Sequence, residues 1–484
     1  MTNFINDNKR SLDRLKWVFK QLKIESPYGI KALSEIKPFK SNNEKHLRQS
    51  FEVLSHIISI LKEKPDLFQS FNRYFMELRN ISGSLNNLNN NQTLNETELF
   101  EIKNFVIIVC DILELADKNK ITLEKLSNSC LNQIIILLNP DKIITRSFYI
   151  HEIWSDNLKE IREQKKLIES KIVLEKDNQI KEQLRNERAL IVCQERDEEL
   201  SVRKKLTIKL KKYQNELETI VNNIGLFELL LAKAELAIEN KCCIPEIYEA
   251  DSGKNITIEN AIEPEIAENL KANNRRFVPV SIQLQKGVTI LTGANMGGKS
   301  VALKTIALNA ELARFGFCPF ADKFSFKIPD FIDIIAGDLQ NSDNGLSSFG
   351  AEIIELTELL KKLDDKTGIA ICDELGRSTN PYEGSRFVKA LSERLQLSSS
   401  YGIIATHYDG INTDGAVFYQ VAGLKALFQR NSEITNLSKQ DLYKLMDYHL
   451  IKVSEVATVP QEALNIGILL GLPNDFIESL KKYY

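Results

Sequence analysis

Thr292-Gly293-Ala294-Asn295-Met296-Gly297-Gly298-Lys299-Ser300 decides the reading of this chain. The stretch fits GxxxxGK[ST], in which glycines let backbone N–H groups converge on phosphate oxygens. The helix that follows such a loop adds positive potential at its N-terminus. Both flanks agree. Val288-Thr289-Ile290-Leu291 is a short apolar run of strand type, and Val301–Phe315 has helical spacing. A tight glycine turn before a helix is the plain alternative, but it would need neither Lys299 nor Ser300. In the phosphate reading, Gly293, Asn295, Met296, Gly297, Gly298 and Val301 line the phosphates, Lys299 reaches the β- and γ-phosphates, and Ser300 binds Mg²⁺. The cofactors predicted are therefore ATP and Mg²⁺.

A second stretch completes the chemistry. Ile369-Ala370-Ile371-Cys372 reads as a buried strand, and it ends in Asp373-Glu374. A strand-end acidic pair is common alone and specific when it follows a phosphate loop. Asp373 is predicted to hold Mg²⁺ through water, and Glu374 to orient and deprotonate the attacking water. Gly402-Ile403-Ile404-Ala405 is a further strand, and Thr406-His407 follows it. His407 is placed to bond the γ-phosphate or the water; the plain alternative is a capped loop histidine. Lys299, Glu374 and His407 are the predicted catalytic set of an ATPase converting ATP and water to ADP and phosphate.

Outward from these motifs the chain has two characters. From Pro245 onward strands alternate with helices at Val301–Phe315, Ala351–Lys362 and Gly384–Leu395, which predicts an α/β domain with a mainly parallel sheet. Before Cys242 there is no glycine between Gly83 and Gly225 and no proline between Pro140 and Pro245. Long helices are therefore permitted. Residues 41–82 read as helices on the spacing of Leu47, Phe51, Leu54, Ile58 and Leu61, and Asn86–Asn95 as a polar loop. Leu99–Ala116 and Leu123–Leu138 follow as helices. Glu152–Thr219 reads as an antiparallel helical hairpin, with Leu158, Ile161, Ile168 and Ile172 on one arm, continued by Ile180 and Leu184. Leu206, Leu210 and Leu217 mark the other arm, and Asn222–Ala237 a buried helix. The basic cluster Lys204, Lys205, Lys209, Lys211 and Lys212 reads as a solvated helix face, with a nucleic-acid surface as the alternative; Glu195, Asp197, Glu198 and Glu199 lie close by.

The fold class predicted is α plus α/β, divided as a helical core over 1–150, a lever hairpin and return helix over 151–240, a P-loop ATPase domain over 241–430 and a C-terminal helical segment over 431–484. A net charge of −3 gives no electrostatic argument for nucleic acid. The seven cysteines form no CxxC pair, which predicts reduced thiols in a cytoplasmic protein, with Cys242 and Cys243 packing a helix end rather than binding metal. Met1–Arg10 is polar, without the apolar core of a signal peptide, and no apolar run is long enough for a membrane span.

The motifs together resemble the MutS family. The phosphate loop is similar to that family's TGPNMGGKS, with Ala294 in place of proline. Asp373-Glu374-Leu375-Gly376-Arg377-Ser378-Thr379, then Tyr382-Glu383-Gly384, resembles its DE-[IL]-G-x-G-T…[DE]G block, with Ser378 in place of glycine. Ala405-Thr406-His407-Tyr408 resembles its ATHY. Ser347-Ser348-Phe349 resembles its SGRSTF segment, with Leu346 in place of arginine, and Gly337-Asp338-Leu339-Gln340 resembles the Smr-tailed branch. The resemblance implies an ABC-type ATPase working as a homodimer with two composite ATP sites, in which Ser347 and Ser348 act on the partner's nucleotide. It implies that Phe277 stacks on adenine, with His449 as a candidate from the other side. Ala463–Ile477 is similar to the family's helical dimer segment.

The same resemblance sets expectations about missing parts. The mismatch-reading, connector and Smr parts have no counterpart, and neither has the β-rich clamp between the lever arms. Phosphate contacts supply most DNA affinity, so a chain without these parts has fewer surfaces to make them. Two functions stay open: a DNA-acting MutS-type ATPase, and an ATP-driven remodeller of a partner protein or second subunit, such as the reactivating factor of a cobalamin-dependent lysine or ornithine aminomutase. A structural dimer with a dead ATP site is the third, opposed by Lys299, Ser300, Asp373 and Glu374.

Overall fold

The computed structural model describes residues 2–121, 128–140, 149–249, 253–293, 298–336, 348–424, 446–453 and 463–483. Asn295, Met296, Gly297 and Ser347 of the predicted site lie outside the described residues, as do Leu346 and the Gly337–Gln340 stretch. Ten α-helices come first: α1 (Thr2–Gln21), α2 (Pro27–Ser34), α3 (Glu44–Glu63), α4 (Asp66–Glu77), α5 (Ser82–Asn89), α6 (Glu96–Lys118), α7 (Asn128–Leu138), α8 (Asp156–Leu174), α9 (Asn178–Lys211) and α10 (Gln214–Glu239). Strands and helices then alternate: β1 (Glu246–Ile247), β2 (Ile256–Ala261), α11 (Pro264–Ala272), β3 (Val280–Leu284), β4 (Gly287–Thr292), α12 (Lys299–Arg314), β5 (Lys323–Phe326), β6 (Ile332–Ala336), α13 (Ser348–Asp365), β7 (Ile369–Asp373), α14 (Pro381–Gln396), β8 (Tyr401–Ala405), β9 (Val417–Leu424) and β10 (Met446–Val453). Two short helices, Ala463–Leu469 and Asn474–Lys481, follow. Among the described residues no helix is long and apolar enough to cross a membrane. Contacts divide the chain into two units: residues 23–36 with 59–232, and residues 1–22, 37–58 and 233–484.

The first unit is helical. Phe71 and Phe75 meet Phe227 edge to face at 5.3 and 6.2 Å, the arrangement that aromatic quadrupoles favour. Tyr28 is anchored beside them: its hydroxyl donates to the Arg79 carbonyl at 2.6 Å and accepts from the Ile81 N–H at 3.1 Å. The Asn-rich stretch predicted as loop is in part helical. Leu85 and Leu88 are buried one turn apart on α5, so their burial carries the helix through Asn86–Asn89. Asn95 caps α6, closing a capping box with Glu98.

Helices α8 and α9 form an antiparallel hairpin with a seam of Ile161, Ile168 and Ile191, joined by Ile172. Its turn falls at Glu175–Asp177, earlier than the apolar spacing predicted. The Asp177 carboxylate accepts from the N–H groups of Gln179 and Ile180 and starts a new helix there. Ile180 and Leu184 therefore belong to the returning arm, and Ile180 is exposed. Lys204, Lys205, Lys209, Lys211 and Lys212 are all exposed, while Leu206 and Leu210 face inward.

The second unit holds two sheets. The larger has strand order β10-β9-β4-β8-β7-β6. Every neighbouring pair in it is parallel except β10 with β9. Its core includes Val288, Ile290, Ala370, Cys372 and Ile404 against Leu359, Val388, Leu391 and Leu395 of α13 and α14. The smaller sheet, β1-β5-β2-β3, is mostly antiparallel and was not foreseen in the sequence. Helix α12 is buried along almost its whole length. Part of that burial comes from α1. Glu311, fully buried, accepts from Ser11 Oγ at 2.6 Å and Arg14 Nη1 at 3.0 Å, and Arg314 bonds both Glu311 and Ser11. A buried carboxylate is tolerable only with such partners.

Candidate functional site

The site lies at the carboxyl ends of three adjacent strands. Leu291 of β4 is in register with Ala405 of β8, and Ala405 with Asp373 of β7. The loops after these strands therefore emerge side by side, where open α/β sheets bind ligands. Two backbone bonds tie the strand ends together: Glu374 N–H donates to Ala405 O at 3.0 Å, and Thr406 N–H to Leu291 O at 3.1 Å.

Gly293 and Gly298, the described ends of the glycine stretch, both have positive φ. Gly298 caps the start of α12 at φ 86°, a left-handed conformation that favours glycine. Lys299, the first residue of the helix, turns back over the loop. Its side chain is 4% exposed, and Nζ donates to the Gly293 carbonyl at 2.8 Å and stands 3.5 Å from Glu374 Oε1. Burial pushes the Lys299 ammonium below its ordinary range, and the Glu374 charge opposes that. The other oxygen of Glu374 takes Arg377 Nη1 at 2.9 Å. Glu374 itself sits at φ 54°.

Asp373 is half-buried, and burial raises its carboxyl above the usual carboxylate range; a hydrogen bond with Ser300 works against this, and the neighbouring Glu374 charge adds to it. Its Oδ1 is buried with no hydrogen-bond partner among the described residues. An orphaned buried carboxylate oxygen beside a serine hydroxyl is a donor set that fits Mg²⁺, which takes oxygen ligands and usually keeps several waters. His407 is half-buried, and burial pushes its imidazole below the ordinary value, with Glu374, Lys299 and Arg377 as the charges it feels. The ring is therefore neutral at neutral pH, with one N–H donor and one acceptor nitrogen.

The structure brings Gly293, Gly298, Lys299, Ser300, Asp373, Glu374 and His407 together. Val301 continues α12, and Ser348 begins α13. Phe277 is half-buried in the segment leading into β3. His449 is exposed and turned to Asp447, whose Oδ1 lies 2.6 Å from its Nδ1. The pairing of β10 with β9 shifts register between Asp447 and Leu450, and there Tyr448 lies against Gly298: its Cδ1 is 2.9 Å from where a Cβ on Gly298 would stand. Tyr448 and Arg377 were both missed as site residues. Tyr448 gave no local signal, because the register shift of β10 between Asp447 and Leu450 breaks the alternation there, while Arg377 lay inside the acidic block already quoted.

Such a loop–helix, a strand-end Asp-Glu pair and a neighbouring histidine define a class of nucleoside-triphosphate-binding proteins, and comparison with known proteins narrows it. Residues 289–467 match the family model described as MutS domain V. Proteins named Endonuclease MutS2 are similar over longer stretches. The one from Fusobacterium nucleatum is 28% identical over 307 residues, 62% of this chain and 36% of that protein. Those from Thermomicrobium roseum and Enterococcus faecalis are 29% and 27% identical, over 56% and 65% of this chain and 33% and 36% of theirs. Over this stretch the chain is therefore similar to the MutS family. It spans about a third of the length of these curated relatives. Reactivation of an aminomutase finds no support among them.

Proposed function

We propose that this chain binds Mg²⁺-ATP at the Gly293–Ser300 loop and hydrolyses it, working as a homodimer with composite sites. The observation that carries this reading is the meeting of Lys299 with Glu374 at 3.5 Å beside the unpartnered Asp373 oxygen. Lys299 would leave Gly293 O and Glu374 for the β- and γ-phosphates, charge-assisted bonds of the stronger kind. Ser300 and Asp373 would hold Mg²⁺, which supplies neutralisation of phosphate charge. Glu374, released from Lys299, orients the attacking water and takes its proton. His407, neutral, offers one donor or acceptor to the same water or to the γ-phosphate. By family resemblance Ser347 and Ser348 of a second copy would close the site, and Phe277 would stack on the base.

DNA is the substrate class that similarity to the MutS family favours. A protein client is kept as a second reading by one observation: α8 passes into α9 through Glu175–Asp177 alone, with no clamp between the arms. The relatives' endonuclease name belongs to those proteins, most of whose length lies outside the similarity. DNA binding measured against salt separates the two readings, because phosphate contacts weaken steeply as salt rises. No binding to duplex at low salt would remove DNA.

The ATPase reading itself is tested with Lys299→Ala. Losing charge-assisted bonds to phosphate should weaken nucleotide binding by roughly 10- to 100-fold or more. Wild-type ATP turnover in that variant would refute the site.

A further inference from the structure

Glu352 takes no part in the site as read from the sequence, yet its carboxylate is bonded directly to the loop that carries Glu374. It lies on α13, one turn after Ser348, and is fully buried. It accepts from the Gly376 N–H at 2.9 Å and from the Ser378 hydroxyl at 2.6 Å. Burying a carboxylate is expensive, and an apolar side chain would fill the same space at less cost. The two donors it accepts are what the carboxylate is there for.

Those donors belong to a backbone that needs holding. Glu374 is a non-glycine residue at φ 54°, a conformation that persists only where the surroundings over-determine it. Its own N–H is tied to Ala405 O. Gly376, at φ 76°, is gripped from both sides of its peptide units: Glu352 takes its N–H, and the Tyr408 hydroxyl donates to its carbonyl at 2.9 Å. It also lies so close to Gly384 that a Cβ would come within 2.8 Å of the Gly384 Cα. Ser378, where the resemblance has glycine, supplies the second donor to Glu352. Without these bonds the strained turn can relax, and the Glu374 carboxylate moves with it.

We infer that Glu352 is a positioning residue for hydrolysis: through Gly376 and Ser378 it holds Glu374 in the orientation from which water is activated, and it ties that loop to the helix beginning at Ser348. The inference rests on the ATPase reading above. It assigns Glu352 no contact with nucleotide, so binding and hydrolysis should separate. The experiment measures ATP affinity, KM and kcat for the full chain and for Glu352→Ala, Glu352→Asp, Glu352→Gln and Ser378→Ala, well below their melting temperatures. A misplacement of the order of 1 Å costs about 100-fold in rate. Glu352→Ala should lose about 100-fold in kcat, and Glu352→Asp, which withdraws the carboxylate, about tenfold. Affinity and KM should change by less than about twofold, since no phosphate contact is lost. Glu352→Gln should recover most of kcat, because its amide oxygen still accepts from Gly376 and its NH₂ can donate to a rotated Ser378 hydroxyl. Ser378→Ala should lose several-fold, and combining it with Glu352→Ala should add nothing. Should Glu352→Ala not fold, the Asp and Ser378 variants carry the test alone. Unchanged kcat in both, or loss of affinity in parallel with kcat, overturns the inference. An inert wild-type chain would instead overturn the ATPase reading.

Discussion

The strand ends at Asp373 and the α8–α9 hairpin both bury charge, and they use it differently. In the hairpin the charges around Arg162 are satisfied on the spot. Arg162, with a side chain 6% exposed, donates to Glu195 at 3.0 Å, to Glu199 at 2.9 Å and to the Ile150 carbonyl at 2.7 Å, and Lys165 also pairs with Glu195. The apolar seam is thin, so this network sets the register of the two arms. At the strand ends the accounting stays open. Asp373 has an oxygen with no partner among the described residues, Glu374 is held at a strained backbone angle, and Lys299 is lodged between the Gly293 carbonyl and Glu374. The Arg162 network is closed within the fold, whereas the Asp373 oxygen is open to a ligand that could complete it.

The contrast is most exposed to Glu374→Gln. Loss of a general base costs about 10²- to 10⁴-fold. Single-turnover hydrolysis should fall within that range while ATP binding remains, since Lys299 is untouched. Hydrolysis at the wild-type rate would place the base elsewhere and remove the open side of the comparison. The closed side is tested by Arg162→Leu. Breaking a buried pair by removing one partner costs about 3–5 kcal/mol, and here the lower end applies because Lys165 still faces Glu195. Hydrogen exchange of α8 and α9 should show the loss; full protection of both arms would mean that the isoleucine seam alone sets the register.

A smaller effect sharpens the comparison from within the sheet-bearing unit. Lys233 donates to the carbonyls of Phe315 and Gly316 at 3.2 Å, at the end of α12, and its ammonium lies 4.2 Å from the centre of the Phe317 ring. Burial pushes its ammonium from the ordinary 10.5 down to about 8. Below pH 8 both folded and unfolded chains carry the charge. Between pH 8 and 10.5 the unfolded chain holds more protons, so stability gains from this group as pH rises. Denaturant unfolding at pH 7.5 and pH 10 should show wild type gaining on Lys233→Met. An unchanged gap would mean that the amine is not desolvated and is satisfied like Arg162.

Much of the site was legible because its signals are local. Gly293, Gly298, Lys299 and Ser300 announce themselves by spacing, and Asp373-Glu374 by following an apolar run of strand length. The three strands read from Val288, Ile369 and Gly402 are the ones that carry the site. What failed was non-local or sub-periodic. Ile180 and Leu184 continued an apolar spacing across a turn that Asp177 dictates. Asn86–Asn89 looked like loop because their composition is polar, while Leu85 and Leu88 did the packing. His449 entered as a candidate from the resemblance alone; the structure shows it exposed beside Asp447, while Tyr448 lies against Gly298.

The amino-acid order alone determined the strand that ends in the acidic pair and the long helices, because each depends on periodicity within a few residues. Only the tertiary structure decided that Ser11 and Arg14 close over Glu311, that Glu352 holds the loop of Glu374, and that Asp373 lies level with Ala405 and Leu291. Those pairings join residues far apart in the chain. Burial selects them: a charged or polar group taken out of water must find its partner wherever the packed chain brings one.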